Sequence, residues 1–321
     1  MKYLYMKTLS VFIVVCASAA ASFAQNDPQY SQYIFNQLVI NPAYAGSKEV
    51  TNLNALGRKQ WSGIDGAPYT QTVSLDGPIL NKHAGLGLTV MNDRSGAVGK
   101  FSFYGSYAHK IRFGKKAVLS MGLSFGGAQY IVDGSKLHTD ESGDPSIPLG
   151  MQRSFKPDAK GGLFFHTNDF YFGVSATELL STRYNKKDPL FTLKRHYFIT
   201  SGLLVKLSDK IKFKPSFMVK EDFNSPTNID LNAFFLFSDK LWLGGSYRMG
   251  VQVWDLSLQD ALQKRDAVAM MAEYFLTDKF RVGYAYDLTV SALKNYGSHE
   301  LSLGYYFFKK QDTKMLSPRY F

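Results

Sequence analysis

Hydropathy that repeats every two residues, segment after segment, is the feature that most constrains this chain. Successive side chains of a strand point to opposite faces, so a period of two marks a sheet with one apolar and one polar side. Lys100 to Phe113 places Phe101, Phe103, Gly105, Tyr107, His109, Ile111 and Phe113 opposite Ser102, Tyr104, Ser106, Ala108, Lys110 and Arg112. Ala117 to Ile131 sets Leu119, Met121, Leu123 and Phe125 against Ser120, Gly122, Ser124 and Gly126. Fourteen such segments begin near Val50, Pro68, Ala84, Lys100, Lys116, Pro157, Asn168, Lys194, Lys210, Thr227, Lys240, Asp266, Lys279 and His299. Most reach about ten residues, the length a tilted strand needs to cross a bilayer.

A soluble sandwich also alternates, so the connections must decide. Tight polar turns stand at Gly114-Lys115-Lys116, Thr167-Asn168-Asp169, Ser208-Asp209-Lys210, Ser238-Asp239-Lys240 and Thr277-Asp278-Lys279. Between them lie long connections: Val132 to Lys156, Leu180 to Lys194, Gly250 to Arg265 and Thr289 to Ser298. Short turns at one rim and long loops at the other belong to an outer-membrane barrel. The fold expected is therefore all-β, a transmembrane barrel of about 14 antiparallel strands over residues 50–308, preceded by a short helical segment. An even strand number returns the chain to the tight-turn rim, so both termini are expected in the periplasm.

The first 24 residues read as a secretory signal peptide: Lys2 and Lys7, an apolar run from Leu9 to Ala21, and small residues in Ser22-Phe23-Ala24 before cleavage at Gln25. The run is short for a membrane anchor. Cys16, the one cysteine, lies inside it, which excludes a disulfide framework and a cysteine-based zinc site in the mature chain. Without Lys2 and Lys7, the 37 Lys and Arg fall to 35 against 26 Asp and Glu, a charge of +9.

That charge is spread around strands and not clustered with stacking aromatics, so nucleic acid is not an expected partner. The strand phases turn Lys110, Arg112, Lys160, Lys206, Lys212, Lys214, Lys220, Arg248 and Arg281 into the lumen, opposed by Asp76, Asp230, Glu273 and Asp287. Either these charges pair and fill a narrow barrel, or a basic lumen attracts an acidic peptide or solute. No catalytic signature, cofactor motif or metal-ligand spacing is found among the six histidines, and no enzyme activity is expected. Asp140, Glu141 and Asp144 offer carboxylates for calcium, but Gly143 is misplaced for an EF-hand and a solvated loop explains them. The pairs Gly126-Gly127 and Gly161-Gly162 are read as barrel bends.

Two segments look suited to partners. Trp254, Leu258 and Leu262 recur every four residues in a long loop, as on a short amphipathic helix that packs on the mouth or docks a surface protein. Residues 25–49 contain Asp27-Pro28 as a helix start and Asn41-Pro42 as its end, with Tyr30, Tyr33, Ile34, Gln37 and Leu38 on one face. A helix so short needs packing. The Tyr30, Tyr33, Leu38 stripe is expected to seal the periplasmic mouth or lumen, or to bind a component there. Residues 309–321 are read as a periplasmic tail.

The stretch Asp27-Pro28-Gln29-Tyr30-Ser31-Gln32-Tyr33, with Phe35-Asn36, Asn41-Pro42-Ala43-Tyr44-Ala45-Gly46, Arg58, Gln60-Trp61 and the ending Ser317-Pro318-Arg319-Tyr320-Phe321, resembles the PorP/SprF family. These are outer-membrane proteins of the type IX secretion system in the Bacteroidetes. The resemblance implies a non-enzymatic barrel serving secretion or surface attachment of a protein with a type B C-terminal sorting domain, such as a gliding adhesin. Its partners would be that protein, other secretion components, and membrane lipid and lipopolysaccharide. A scaffold joining the periplasmic secretion ring to the outer membrane, or a passive porin-like channel, stand as the other readings.

Overall fold

The structure, a computed structural model, describes residues 28–307 apart from 115, 138–147, 149, 182–192, 255–266 and 291–294. The strands are β1 (Thr51–Lys59), β2 (Tyr69–Ile79), β3 (Ala84–Ser95), β4 (Val98–Phe113) and β5 (Ala117–Asp133). They continue as β6 (Met151–His166), β7 (Phe170–Thr177), β8 (His196–Leu203), β9 (Val205–Lys206) and β10 (Ile211–Glu221). The last are β11 (Thr227–Phe237), β12 (Leu241–Val251), β13 (Ala267–Phe275), β14 (Phe280–Thr289) and β15 (Ser298–Phe307). Both β8 and β9 pair with β10, so they are two pieces of one wall strand and the wall has 14 strands. Every neighbouring pair is antiparallel, and β1 closes on β15 from Thr51 opposite Phe307 to Lys59 opposite His299. Closure leaves no unpaired edge, the condition for placing a sheet in hydrocarbon.

Burial is inverted relative to a water-soluble sheet. Leu86, Leu88, Phe103, Leu123, Phe125 and Leu301 are exposed on the outer face, whereas Lys110, Lys214, Asp230, Glu273, Arg281 and Glu300 are buried. An apolar exterior around a charged interior fits lipid outside the wall. The sequence phases hold through the register: Lys110 and Ser120 face each other inward, and His109 and Met121 outward.

The sixth strand differs from its expected start. Proline lacks an N–H, so Pro157 reads as a strand beginning. In the ladder it sits opposite Gly127, and β6 starts six residues earlier, with Met151 opposite Asp133. The pairs on both sides of Pro157 carry the ladder past one missing donor. As a result β4, β5 and β6, at 16, 17 and 16 residues, outlast the eight-residue β7 and β8. β7 pairs with β6 only from His166 to Gly161, whereas β5 follows β6 on to Met151, so the extra length rises at the long-loop rim.

Candidate functional site: the lumen and its plug

Residues 31–46 run down the inside of the barrel. The single helix expected there is replaced by three short 3₁₀ turns, Gln32–Phe35, Gln37–Val39 and Pro42–Tyr44. An amphipathic helix has one buried stripe, but here nearly every residue from Ser31 to Ala45 is buried, polar ones included. Asn36 leaves helical geometry at φ −142°, and its side-chain amide donates to Ser74 Oγ at 2.8 Å. Each turn therefore bends toward its own wall partner.

The upper end of this plug is held at the seam between β15 and β1. Ser31 N and Gln32 N donate to the Glu300 carboxylate at 3.0 and 2.7 Å, and Ser31 Oγ donates to Asp287 at 2.6 Å. Arg58 bridges both acids, at 2.6 Å to Asp287 and 2.9 Å to Glu300. Gln32 adds Nε2 to the Glu300 carbonyl and accepts from Ser302 Oγ. These buried acids satisfy two backbone N–H groups that the enclosed plug cannot offer to water.

The lower part is held by close approach to three wall glycines, two of them meeting plug backbone and one the Asn41 side chain. A Cβ at Gly85 would strike Ala45, one at Gly122 would strike Ala43, and one at Gly162 would strike Asn41. Gly162, read from sequence as a bend, is thus a seat for the plug, whereas Gly126 lies tight against its neighbour strand at Phe103 and Tyr104. Asn41 caps the third turn through Ala43 N at 2.9 Å and donates to the Leu163 carbonyl at 3.0 Å. Phe35 meets Phe234 edge-on at 5.7 Å, and Tyr44 meets Phe164 at 5.3 Å. At the tight-turn rim Gly46 donates to Asp76 at 2.8 Å and its carbonyl accepts from Lys110. Glu49 there bridges Arg112 at 2.7 Å and Lys82 at 3.1 Å. Burial pushes the Lys48 ammonium down to about 7, with Arg281 adding to the effect, and its Nζ donates to the Phe35 carbonyl.

The residues singled out from sequence divide as follows. Tyr33 and Leu38 are buried inside the wall, Tyr33 Oη accepting from Asn232 at 2.8 Å; Tyr30, half-buried, meets Thr72 Oγ1 at 2.8 Å. Their contacts are with the wall itself. Lys110 and Arg112 hold the plug's lower end, as above. Arg248 forks onto Asp230 at 2.8 Å through both Nε and Nη2, and Arg281 meets Glu273 at 3.2 Å. Lys212 pairs with Asp239 at 2.6 Å near the rim. Lys214, 1 % exposed, stands over the Tyr171 and Trp242 rings, and Lys220 over Phe198. Lys206 is exposed at a turn beside Asp209. Trp254 is 47 % exposed at the long-loop rim, its Nε1 donating to Glu221 and its ring 5.4 Å from Phe223, which packs on Tyr197. Phe223 holds φ +57°, a strained value for a bulky residue. Leu258, Leu262 and the acidic loop Asp140 to Asp144 lie outside the described residues.

Sequence reasoning missed Arg58, Glu300, Lys100 and Glu178 as interior groups. Arg58, Glu300 and Lys100 all lie on the inward phase of their strands, so alternation alone could have found them; Glu178, just past the end of β7, is recognised only through its partner Lys100 at 3.0 Å. Among the described residues no group of three potential ligands is placed to hold a metal ion.

A family model described as "Type IX secretion system membrane protein PorP/SprF" matches residues 22–305, nearly the whole chain. No match is found among curated proteins. Among solved structures, the CymD monoaromatic hydrocarbon channel shares 12% identity over 86% of this chain and 93% of its own, with a TM-score of 0.50. A Pseudomonas aeruginosa FadL homologue gives 12% identity, 90% and 96% coverage and a TM-score of 0.48. The Acinetobacter baumannii outer membrane protein Omp33 gives 10%, 81% and 100%, with 0.46. At such identity the CymD likeness speaks for the barrel fold alone.

Proposed function

The chain belongs to the PorP/SprF family of type IX secretion system membrane proteins, and from that premise we propose that it is a non-enzymatic outer-membrane partner of a secreted protein. Its cargo carries a type B C-terminal sorting domain, in the manner of a gliding adhesin, and the barrel attaches it at the cell surface. The observation that carries this reading is the built-in plug. Residues 31–46 occupy the lumen with hydrogen bonds to the seam and glycine seats in the wall. A lumen filled in this way argues against the passive channel, and leaves the rims as the surfaces where partners act. The Tyr30, Tyr33, Leu38 stripe then serves the seal.

The long-loop rim, with the exposed Trp254 and Phe223, is assigned to the cell exterior and the tight-turn rim to the periplasm. The C-terminal strand β15 ends at the tight-turn rim, consistent with a periplasmic C-terminus. Pro28 instead lines a space beside Thr177, the last residue of β7, in the long-loop half. The described part of the plug therefore begins in the outer half of the lumen.

Deleting the gene should leave the cognate surface protein undisplayed while other type IX cargo still reaches the surface. Loss of all cargo would instead favour the scaffold reading, and undisturbed display would refute both. In planar bilayers the purified barrel should show no steady open-pore conductance. A stable large conductance would refute the seal.

A further inference from the structure

The outer face of the wall is not uniform around the long-loop end of the barrel. One register row links Lys59 to Tyr69, Tyr69 to Arg94 and, through Gly99 and Ile131, Arg94 to Arg153. All six are on the outward phase, and the three cations are exposed. In the strands of the other half, the outward residues that end β7, β8, β10, β12, β13 and β14 are Ala176, Tyr197, Glu221, Val251, Val268 and Leu288. None of these is a cation. A general attraction to lipid headgroups would not single out β1 to β6.

Lys59 and Arg94 stand two strands apart, about 10 Å, with Tyr69 between them. Among the described residues no carboxylate lies within salt-bridge distance of either. Asp93, beside Arg94 in sequence, turns to the inner face and accepts from Thr70 Oγ1 at 2.6 Å. One row below the cations, Asn92 donates to Gln71 at 3.3 Å, and in the next row Val73 faces Val90. Lower still the outer face is concave, with a groove of about 610 Å³ lined by Leu75, Leu88, Gly105, Tyr107 and Phe125. Gly105 makes the depression: it sits between Leu88 and Phe125 in one row, and a Cβ there would meet nothing nearer than the Phe125 carbonyl at 3.9 Å. From Arg94 to Leu88 is six residues along β3, about 20 Å. Cations, amides, aliphatic wall and groove thus follow one another down β2 to β4, in the sequence of a charged headgroup and its acyl chain. A water-soluble anion has no use for the groove, and a neutral lipid leaves the cations unanswered.

We propose that this strip binds one molecule of the phosphorylated glycolipid of the outer leaflet, which narrows a general contact with lipopolysaccharide to a site. Lys59 and Arg94 hold a phosphate, Arg94 through paired N–H groups and Lys59 as a point charge. Gln71 and Asn92 meet the sugar and its amide linkages, and one acyl chain runs down the wall into the groove at Gly105. The choice of outer-leaflet lipid rests on the long-loop rim facing the cell exterior, as proposed above.

The test titrates the full mature chain in detergent with purified bisphosphorylated lipid A, followed by native mass spectrometry and thermal unfolding. The wild type should hold one lipid A and unfold at a saturably higher temperature, and lipid A stripped of both phosphates should give neither effect. Lys59→Gln and Arg94→Gln change exposed side chains, so both should fold, and each should bind at least fivefold more weakly. Gly105→Trp, which fills the groove from outside, should bind at least threefold more weakly. Lys206→Gln, an exposed cation at the opposite rim, should bind as wild type does. No saturable effect of lipid A, unchanged affinity in Arg94→Gln, or equal stabilisation by phosphatidylglycerol overturns the proposal. Asp65→Cys, exposed in the β1–β2 connection of a mature chain without cysteine, reads the orientation separately. Labelling of intact cells by an impermeant maleimide supports the exterior rim, and protection from it overturns both the orientation and the lipid source. A failed titration with Asp65→Cys labelled overturns the lipid site alone.

Discussion

The two flanks of the upper lumen treat the plug in different ways. At the seam, Asp287 and Glu300 outnumber Arg58, and the plug answers with Ser31 N, Gln32 N and the Ser31 hydroxyl. Across the barrel, Glu178 is met by Lys100 at 3.0 Å and His196 at 3.3 Å from the wall itself, and a cavity lies beside the plug. A backbone segment can offer many N–H donors at close range but only carbonyl oxygens as acceptors. An acidic wall is therefore easily completed by a plug, whereas the other flank pairs its charges within the wall. The comparison separates a flank that clamps the plug from one that does not.

The largest expected effect breaks the clamp. Arg58→Leu leaves two buried carboxylates without their shared cation, and should lower stability by about 3–5 kcal/mol. Urea unfolding and heat-modifiable migration on gels would measure it. Lys160→Gln on the other flank, half-buried, should change stability by no more than about 1 kcal/mol. Equal losses on the two flanks would end the distinction between them.

A smaller effect tests the plug's seat below both flanks. Gly122→Val drives a side chain into Ala43, and overpacking of this kind costs about 1–3 kcal/mol. It should also open residues 31–46 to added protease while the wall stays intact. Gly105→Val points outward, where a Cβ meets nothing nearer than the Phe125 carbonyl at 3.9 Å, and should be silent. Matching protection in both variants would mean that the seat does not hold the plug.

The smallest effect lies at the tight-turn rim. Burial alone would raise the Glu49 carboxyl, but hydrogen bonds from Arg112 and Lys82 hold it below its ordinary value. A depressed acid contributes stability above its unfolded value, about 4.3, and loses it as pH falls through the lower folded value. The Glu49 side chain is 11 % exposed but its cations face solvent at the rim, Lys82 at 49 % and Arg112 at 31 %, so the contribution is under about 1 kcal/mol. Protease sensitivity of the plug's lower end should rise on acidification below about pH 4 in the wild type. In Glu49→Gln it should start higher and stay level through that range. A wild-type end that stays protected at low pH would remove Glu49 from the plug's lower anchor.

The barrel was legible in the chain because a two-residue period is local: strand geometry turns Lys110 inward and His109 outward whatever lies across the lumen. Strand starts, faces and the contrast of short turns with long loops all follow from neighbours in sequence. The boundary at Pro157 was misread for the same reason, since a proline marks a break locally while the ladder with β5 carries the strand past it. The plug was visible only as a segment with an apolar stripe and two cap signals. What it does depends on pairs such as Ser31 with Glu300, Asn41 with Gly162 and Gly46 with Asp76, which no periodicity links. Gly162 looks the same in sequence whether it bends a wall or seats the Asn41 side chain of the plug. Only closure of the β1–β15 seam brings the opposite ends of the chain together, and with them the charges that clamp one flank and leave the other open.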